Sequence, residues 1–227
     1  AGLYADTYVY VSSTETAAVN IVTDNLVVIG KDSSATVVDP AGESNVVGLY
    51  GVYADTQTNL TIKNVGVSGA YDGIHFYNVD SSTVTSDSVG ANGNIGIYLR
   101  VNSDTNTVSN NISNWNGYGV YLNSSSSGNT LTGNVMNSNR LYGVYLVSSA
   151  GNTLDGNTAN SNLVYGFVLS TSADNLFIGN TSRSNASDGF AVSGSSAGTR
   201  LIRNTSAANL GHGISVATSS LCVAAHN

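Results

Sequence analysis

One glycine recurs through this chain at a nearly constant interval. It opens a Gly-aliphatic-x-aliphatic stretch at Gly51, Gly73, Gly96, Gly119, Gly143, Gly166, Gly189 and Gly213, with separations of 22, 23, 23, 24, 23, 23 and 24 residues. Self-similarity at a period of about 20–50 residues marks a solenoid, in which each unit buries its apolar face only against its neighbours. After each glycine the apolar residues alternate, as in Val120/Leu122, Val144/Leu146, Phe167/Leu169, Phe190/Val192 and Ile214/Val216. A period of two is that of a strand with one face buried. A second short strand follows in NTLTGN (129–134), NTLDGN (152–157), NLFIGN (175–180) and TRLIRN (199–204), and a third in pairs such as Val135-Met136 and Thr158-Ala159. The leucine-rich alternative lacks its L-x-x-L-x-L spacing, and no stretch offers an amphipathic helix. The pattern predicts an all-β chain: a parallel β-helix with three short strands per lap of about 23 residues and nine or ten laps. It forms one domain over residues 1–227, less regular over 1–50, regular over 51–216 and uncapped over 217–227.

Composition agrees. Charged residues make up 9% of the chain, against roughly 25% in an average domain, and Asn, Ser, Thr and Gly stand in their place. These residues compete for backbone hydrogen bonds and disfavour helices. A net charge of −7 argues against a nucleic-acid partner, and no apolar run reaches the length of a membrane span. The few lysines, many tyrosines and several N-x-S/T sequons suggest an extracellular or cell-surface protein, with AGLYADTYVYV as a mature N-terminus left by cleavage.

Asparagines mark the bends. Asn64, Asp87, Asn111, Asn134, Asn157, Asn180 and Asn204 recur just after the second strand, where Asn tolerates left-handed backbone and its amide can hydrogen-bond from rung to rung. Sequons at Asn111, Asn180 and Asn204 are thereby engaged, which leaves Asn59, Asn123 and Asn185 as glycan candidates. Residues one and three after the glycine face inward, so the second faces out. Tyr53, His75, Tyr98, Tyr121 and Tyr145 then form an exposed aromatic column for lateral protein or sugar contact. The place of Tyr118, Tyr142 and Tyr165 stays open.

The repeat GVYLNSSSSGNTLTGNVMNSN (119–139) resembles that of NosD-like right-handed parallel β-helix proteins, a branch of the pectate-lyase-type superfold, of the kind found in surface and sheath proteins of methanogenic archaea. The resemblance implies the fold; that fold hosts lyases, hydrolases, epimerases, adhesins and architectural proteins. Lyases imply clustered aspartates for calcium, whereas Asp72, Asp80 and Asp87 fall in different parts of the lap. Polygalacturonases imply Gly-His-Gly, found at Gly211-His212-Gly213, but without their paired aspartates. YDGIHF (71–76) resembles the catalytic tyrosine-aspartate-histidine region of alginate epimerases, with Asp72 and His75 as acid and base. Yet His75 holds a position that tyrosine fills in other laps. NosD implies copper, but His75, His212, His226, Met136 and Cys222 are scattered. On balance the sequence suggests a protein without catalytic function, cofactor or metal.

The ends favour assembly. No capping helix precedes or follows the repeats, and unpaired edges of a solenoid recruit other strands. Residues 1–50 carry six acids against Lys31, net −5; residues 178–227 carry Arg183, Arg200 and Arg203 against Asp188, net +2. Opposite ends that attract form open fibres unless rotation closes them into a ring. The expected partner is therefore a second copy, with surface glycans as a further candidate. Tyr8 and Val9 would meet Leu221, Cys222 and Val223 in a fibre, sheath or surface layer; Cys222 is a small buried residue, a free thiol or an intermolecular bridge. The alternative is a polysaccharide-active enzyme or carbohydrate-binding protein working through Asp72 and His75 or the tyrosines.

Overall fold

The computed structural model describes residues 7–11, 19–31, 37–38, 50–217 and 223–225. All its strands pair in parallel and its described residues contain no helix. They coil into a right-handed β-helix, the hand that parallel crossovers favour. A first sheet of nine strands includes Tyr50–Asp55, Asp72–Tyr77, Ile95–Arg100, Tyr118–Asn123, Tyr142–Val147 and Tyr165–Ser170. A second, of ten strands, includes Thr61–Lys63, Thr83–Thr85, Thr107–Ser109, Thr130–Thr132 and Thr153–Asp155. The third face is sketchier. Short strands such as Gly66–Val67 and Thr158–Asn160 are linked through single bridges at Ile112 and Val135.

Repeat spacing becomes register. Val120 pairs with Val144, and Val144 with Phe167, so each apolar residue stacks on its equivalent one lap away. The inward residues of the first sheet meet the middle residues of the second, among them Val84, Val108, Leu131, Leu154 and Phe177, in one dry column running the length of the coil. Phe167 and Phe190 stack there at 4.8 Å, with Phe177 edge-on to both.

At the corners, side chains take over from backbone. The N–H of Asn111 donates to Oδ1 of Asn134, that of Asn134 to Asn157, that of Asn157 to Asn180 and that of Asn180 to Asn204. Each Nδ2 also donates to a carbonyl of the preceding lap, for example Asn134 to Val108 and Asn157 to Leu131, both at 2.8 Å. Two more asparagine columns do the same work, through Asn92, Asn116, Asn139, Asn162, Asn185 and Asn209, and through Asn106, Asn129, Asn152 and Asn175. Serines 103, 126, 149, 172 and 196 mark a fourth corner column. The sequence suggested one ladder, and two corrections follow. Asn64 lies one residue outside it, in the left-handed bend position with φ 56°, and Val65 holds the ladder place beneath Asp87. Asn185, expected as a glycan acceptor, is buried, its Nδ2 donating to Ala159, Ser182 and Asn209.

The anchor glycines answer to a close approach. A Cβ at Gly143 would lie 2.8 Å from the Gly166 carbonyl oxygen and 2.5 Å from the Ala159 Cβ, whereas at Gly213 nothing comes nearer than 3.5 Å. Gly143→Ala is therefore expected to destabilise the coil by about 1–3 kcal/mol through overpacking. Gly213→Ala should stay within about 0.5 kcal/mol, as at a surface site. Paired urea melts measure both.

Asp87 stands where the next laps carry asparagine. Its Oδ1 accepts from the Val65 N–H at 2.8 Å and its own N–H donates to Asn111 Oδ1, but Oδ2 is buried with no partner. In the asparagines above, the matching Nδ2 donates to acceptors, a role only a protonated carboxyl can fill. Burial pushes the Asp87 carboxyl from its ordinary 3.8 up to about 7, against the pull of backbone N–H groups. A raised folded-state value means stability is full below about pH 3.8 and is lost as pH rises towards about 7. The loss approaches roughly 4 kcal/mol, at about 1.4 kcal/mol per pH unit. Asp87→Asn should abolish that slope and stabilise the coil at neutral pH, which melts across this range will test.

Candidate functional site

The outward column of the first sheet forms as the register requires: Tyr53, His75, Tyr98, Tyr121 and Tyr145 are successive Cα partners. Tyr98, Tyr121 and Tyr145 stack nearly parallel, with centroids 5.0 and 4.9 Å apart. The column is not uniformly exposed, however. His75 is only 2% and Tyr98 8% accessible. Other rings on the same side cover them, Tyr50 lying 4.5 Å edge-on to His75. Tyr118 and Tyr142, whose place the sequence left open, also join this outer face, 5.3 and 5.0 Å from Tyr121 and Tyr145.

Strand alternation would separate residues 72 and 75, but it breaks at the anchor glycine. The missing Cβ of Gly73 points inward, towards Val89 and Asn92, and Ile74 is fully buried as well. Asp72 and His75 consequently share the outer side. His75 Nδ1 lies 3.1 Å from Asp72 Oδ2, with both side chains buried. Asp72 Oδ1 accepts from Asn94 Nδ2 at 2.9 Å and from the Ile95 N–H at 3.1 Å, so the next lap holds the carboxylate. With Nδ1–H donated to Asp72, His75 keeps a lone pair on Nε2, and that atom is buried with no hydrogen-bond partner. A buried polar atom left unpaired calls for an explanation, and a catalytic role is one of them.

The pair lines a cleft of about 410 Å³ whose wall includes Tyr50, Tyr98, Tyr121, Asn94 and Arg100. The Arg100 guanidinium lies over the rings of Tyr77 and Tyr98, 5.7 and 6.0 Å from their centroids. Burial raises the Tyr98 phenol above its ordinary value; burial, then the Asp72 charge, raises Tyr50. Both therefore remain proton donors at neutral pH. A base oriented by a carboxylate, protonated phenols and a cation together can remove a proton next to an anionic group.

The other sequence candidates do not converge. Asp80 accepts from the Asp104 N–H at a corner, and Asp87 belongs to a ladder. His212 is exposed and pairs with Asp188 at 3.3 Å, well away from Asp72. Asn59 is exposed and donates to Asn25, while Asn123 is half-buried and donates to Tyr98 Oη. Tyr8, Val9 and Val223 are exposed on the outermost strands; Leu221 and Cys222 lie outside the described residues.

The profile of a family described as "Periplasmic copper-binding protein (NosD)" matches residues 99–222, and that of "Right handed beta helix region" matches residues 8–159. No curated protein matches the chain by sequence. Among solved structures, the periplasmic alginate epimerase AlgG superposes with a TM-score of 0.69 at 18% identity, covering 78% of this chain and 47% of that one. The A-module of the Azotobacter vinelandii mannuronan C-5 epimerase AlgE6 gives 0.69 at 15% identity, covering 97% and 85%. An alginate lyase from Paenibacillus sp. gives 0.58 at 12%, covering 92% of each. The chain thus spans about half the length of AlgG.

Copper prefers clustered imidazole, thiolate or thioether donors. Here Met136 is sealed in the core, and His75 and His212 stand several laps apart, so the donors do not cluster. No group of three or more His, Cys, Asp or Glu that could hold a metal exists among the described residues. Among the described residues, which do not include Cys222 or His226, the donor set does not fit copper. The expectation of a chain without catalytic function is also corrected, because the solved structures it resembles are polysaccharide-active enzymes. His75, read from the repeat as a stacking residue, is held by a buried carboxylate in a cleft. The match of two family profiles over more than half the sequence, joined to this fold, carries one conclusion: the chain belongs to the NosD-like family of right-handed parallel β-helix proteins.

Proposed function

We propose that the protein is a polysaccharide-active enzyme that removes the proton beside the carboxylate of a uronate residue at the Asp72–His75 cleft. The observation that carries this reading is the buried imidazole whose Nδ1 is tied to a carboxylate and whose Nε2 has no partner. The similarity to alginate epimerases and an alginate lyase supports it at the level of substrate class. A location outside the cytoplasm accords with the periplasm named for both NosD and AlgG.

The chemistry follows from the residues. Arg100 sits where it can pair with the uronate carboxylate and stabilise the charge that develops there. His75 Nε2 takes the C5 proton, and the C–H electron pair moves into the carboxylate. Asp72 is a positioning residue: it fixes the tautomer and stabilises the imidazolium. From that intermediate, expulsion of the O4 leaving group with a proton from Tyr98 gives the unsaturated product of a lyase. Proton delivery to the opposite face of C5 gives the epimer instead. Because Nε2 is sealed from solvent, a substrate must displace a flanking ring to reach it.

The test is alginate turnover in D2O, read as deuterium at C5 by NMR and as ultraviolet absorbance of unsaturated ends. His75→Ala should lower either signal by about 100-fold or more, and Asp72→Asn by a smaller factor, each measured on protein that circular dichroism shows to be folded. Turnover that persists in His75→Ala would sink the reading.

A second reading, self-association, is supported by the exposed Tyr8, Val9 and Tyr10 on the outermost strand of the second sheet. If edge pairing operates, sedimentation will show mass growing with concentration, and Val9→Lys will return the protein to a single species. A monomer at every concentration would rule it out.

A further inference from the structure

The outer column of the first sheet changes size along the coil. In register, Tyr121 and Tyr145 are followed by Val168, Ala191 and Ser215. Where rings give way to small side chains, the face sinks into a second cleft of about 320 Å³, walled by Tyr142, Tyr145 and Tyr165 and lined by Asp188. Asp188 occupies the same repeat position as Asp72, immediately before an anchor glycine. Like Asp72, it accepts from a backbone N–H of the next lap, that of His212 at 2.6 Å. The two sites differ three residues on: Asp72 is followed by His75, Asp188 by Ala191. The second cleft repeats the carboxylate and the aromatic walls of the first, but its imidazole, His212, sits exposed beside Asp188 and outside the lining, where the first cleft has a buried one. Arg100, which lines the first cleft, has no lysine or arginine counterpart in the lining of the second.

We propose that this second cleft is a non-catalytic subsite for an uncharged pyranose residue of the same polysaccharide, an inference that rests on reading the first cleft as a polysaccharide site. The tyrosine faces take the C–H face of the sugar, and Asp188 accepts from its hydroxyls while repelling a carboxylate. Five laps separate Ala191 from His75, about 24 Å at the strand spacing. Each lap is close to the length of one pyranose, and the stacked Tyr98, Tyr121 and Tyr145 floor most of the interval. A chain that fills both clefts therefore lies along the coil axis and is held at two points. Its bound residue at the dyad carries a carboxylate, and its residue at Asp188 does not.

Calorimetry on the His75→Ala variant, which binds without turnover, separates the possibilities, with an alginate trimer and a half-esterified octamer as probes. The octamer is expected to bind at least about tenfold tighter than the trimer, as two-point attachment requires. Ala191→Tyr, which continues the ring column into the hollow, should remove that gain and leave trimer affinity unchanged. Tyr165→Ala supplies the same comparison if the bulkier variant does not fold. A gain that survives both variants, or a fully charged octamer that binds as tightly as the half-esterified one, overturns the subsite. Failure of the first cleft has a different signature, since the wild type would then neither bind nor turn over the trimer.

Discussion

The structure depends on what happens to backbone N–H groups at its corners. Along the flat faces each N–H meets a carbonyl of a neighbouring lap, but where the chain bends the partner is the side-chain oxygen of an asparagine or serine one lap on. An unpaired buried N–H costs about 1–3 kcal/mol, and the coil has several corner residues per lap. Without the ladders, stacking would leave a stack of such penalties around the core. The need for small amide and hydroxyl side chains at fixed intervals accounts for the asparagines and serines that recur at the corners.

The same constraint explains which parts of the fold were legible in sequence. Strand faces were clear because Val120, Val144 and Phe167 recur in step, each with a leucine two residues on. The ladder that ends at Asn204 was legible from its spacing, but its first member was misplaced: Asn64 suits a left-handed bend as well as a ladder, and only its neighbour Val65 pairs with Asp87. The columns through Asn139 and Asn152 were missed because Asn-Ser runs read as loop. Their interval of 23 residues was visible all along and was the signal that could have found them.

The candidate site was harder to read, for a physical reason. Alignment on the repeat places His75 among tyrosines, and that placement is correct. It hides the fact that a glycine with an inward-facing hydrogen lets residues three apart meet on one side. A repeat protein writes its chemistry in departures from the repeat. Asp72 where four other laps have tyrosine, and histidine where four others have a phenol, are two departures in a single strand. Their coincidence carries more information than either residue.

Lap-to-lap bonding by nearest neighbours has a consequence for how such a protein can change over generations. Duplicating one interior lap adds a strand to each face and a rung to every ladder without disturbing the packing of the others, because each rung touches only those beside it. The distance between the dyad and any feature farther along the outer face can thus be lengthened in whole-rung steps of about 4.8 Å. Such a molecule behaves as a ruler whose graduations are inherited, with the chemistry at one mark left untouched.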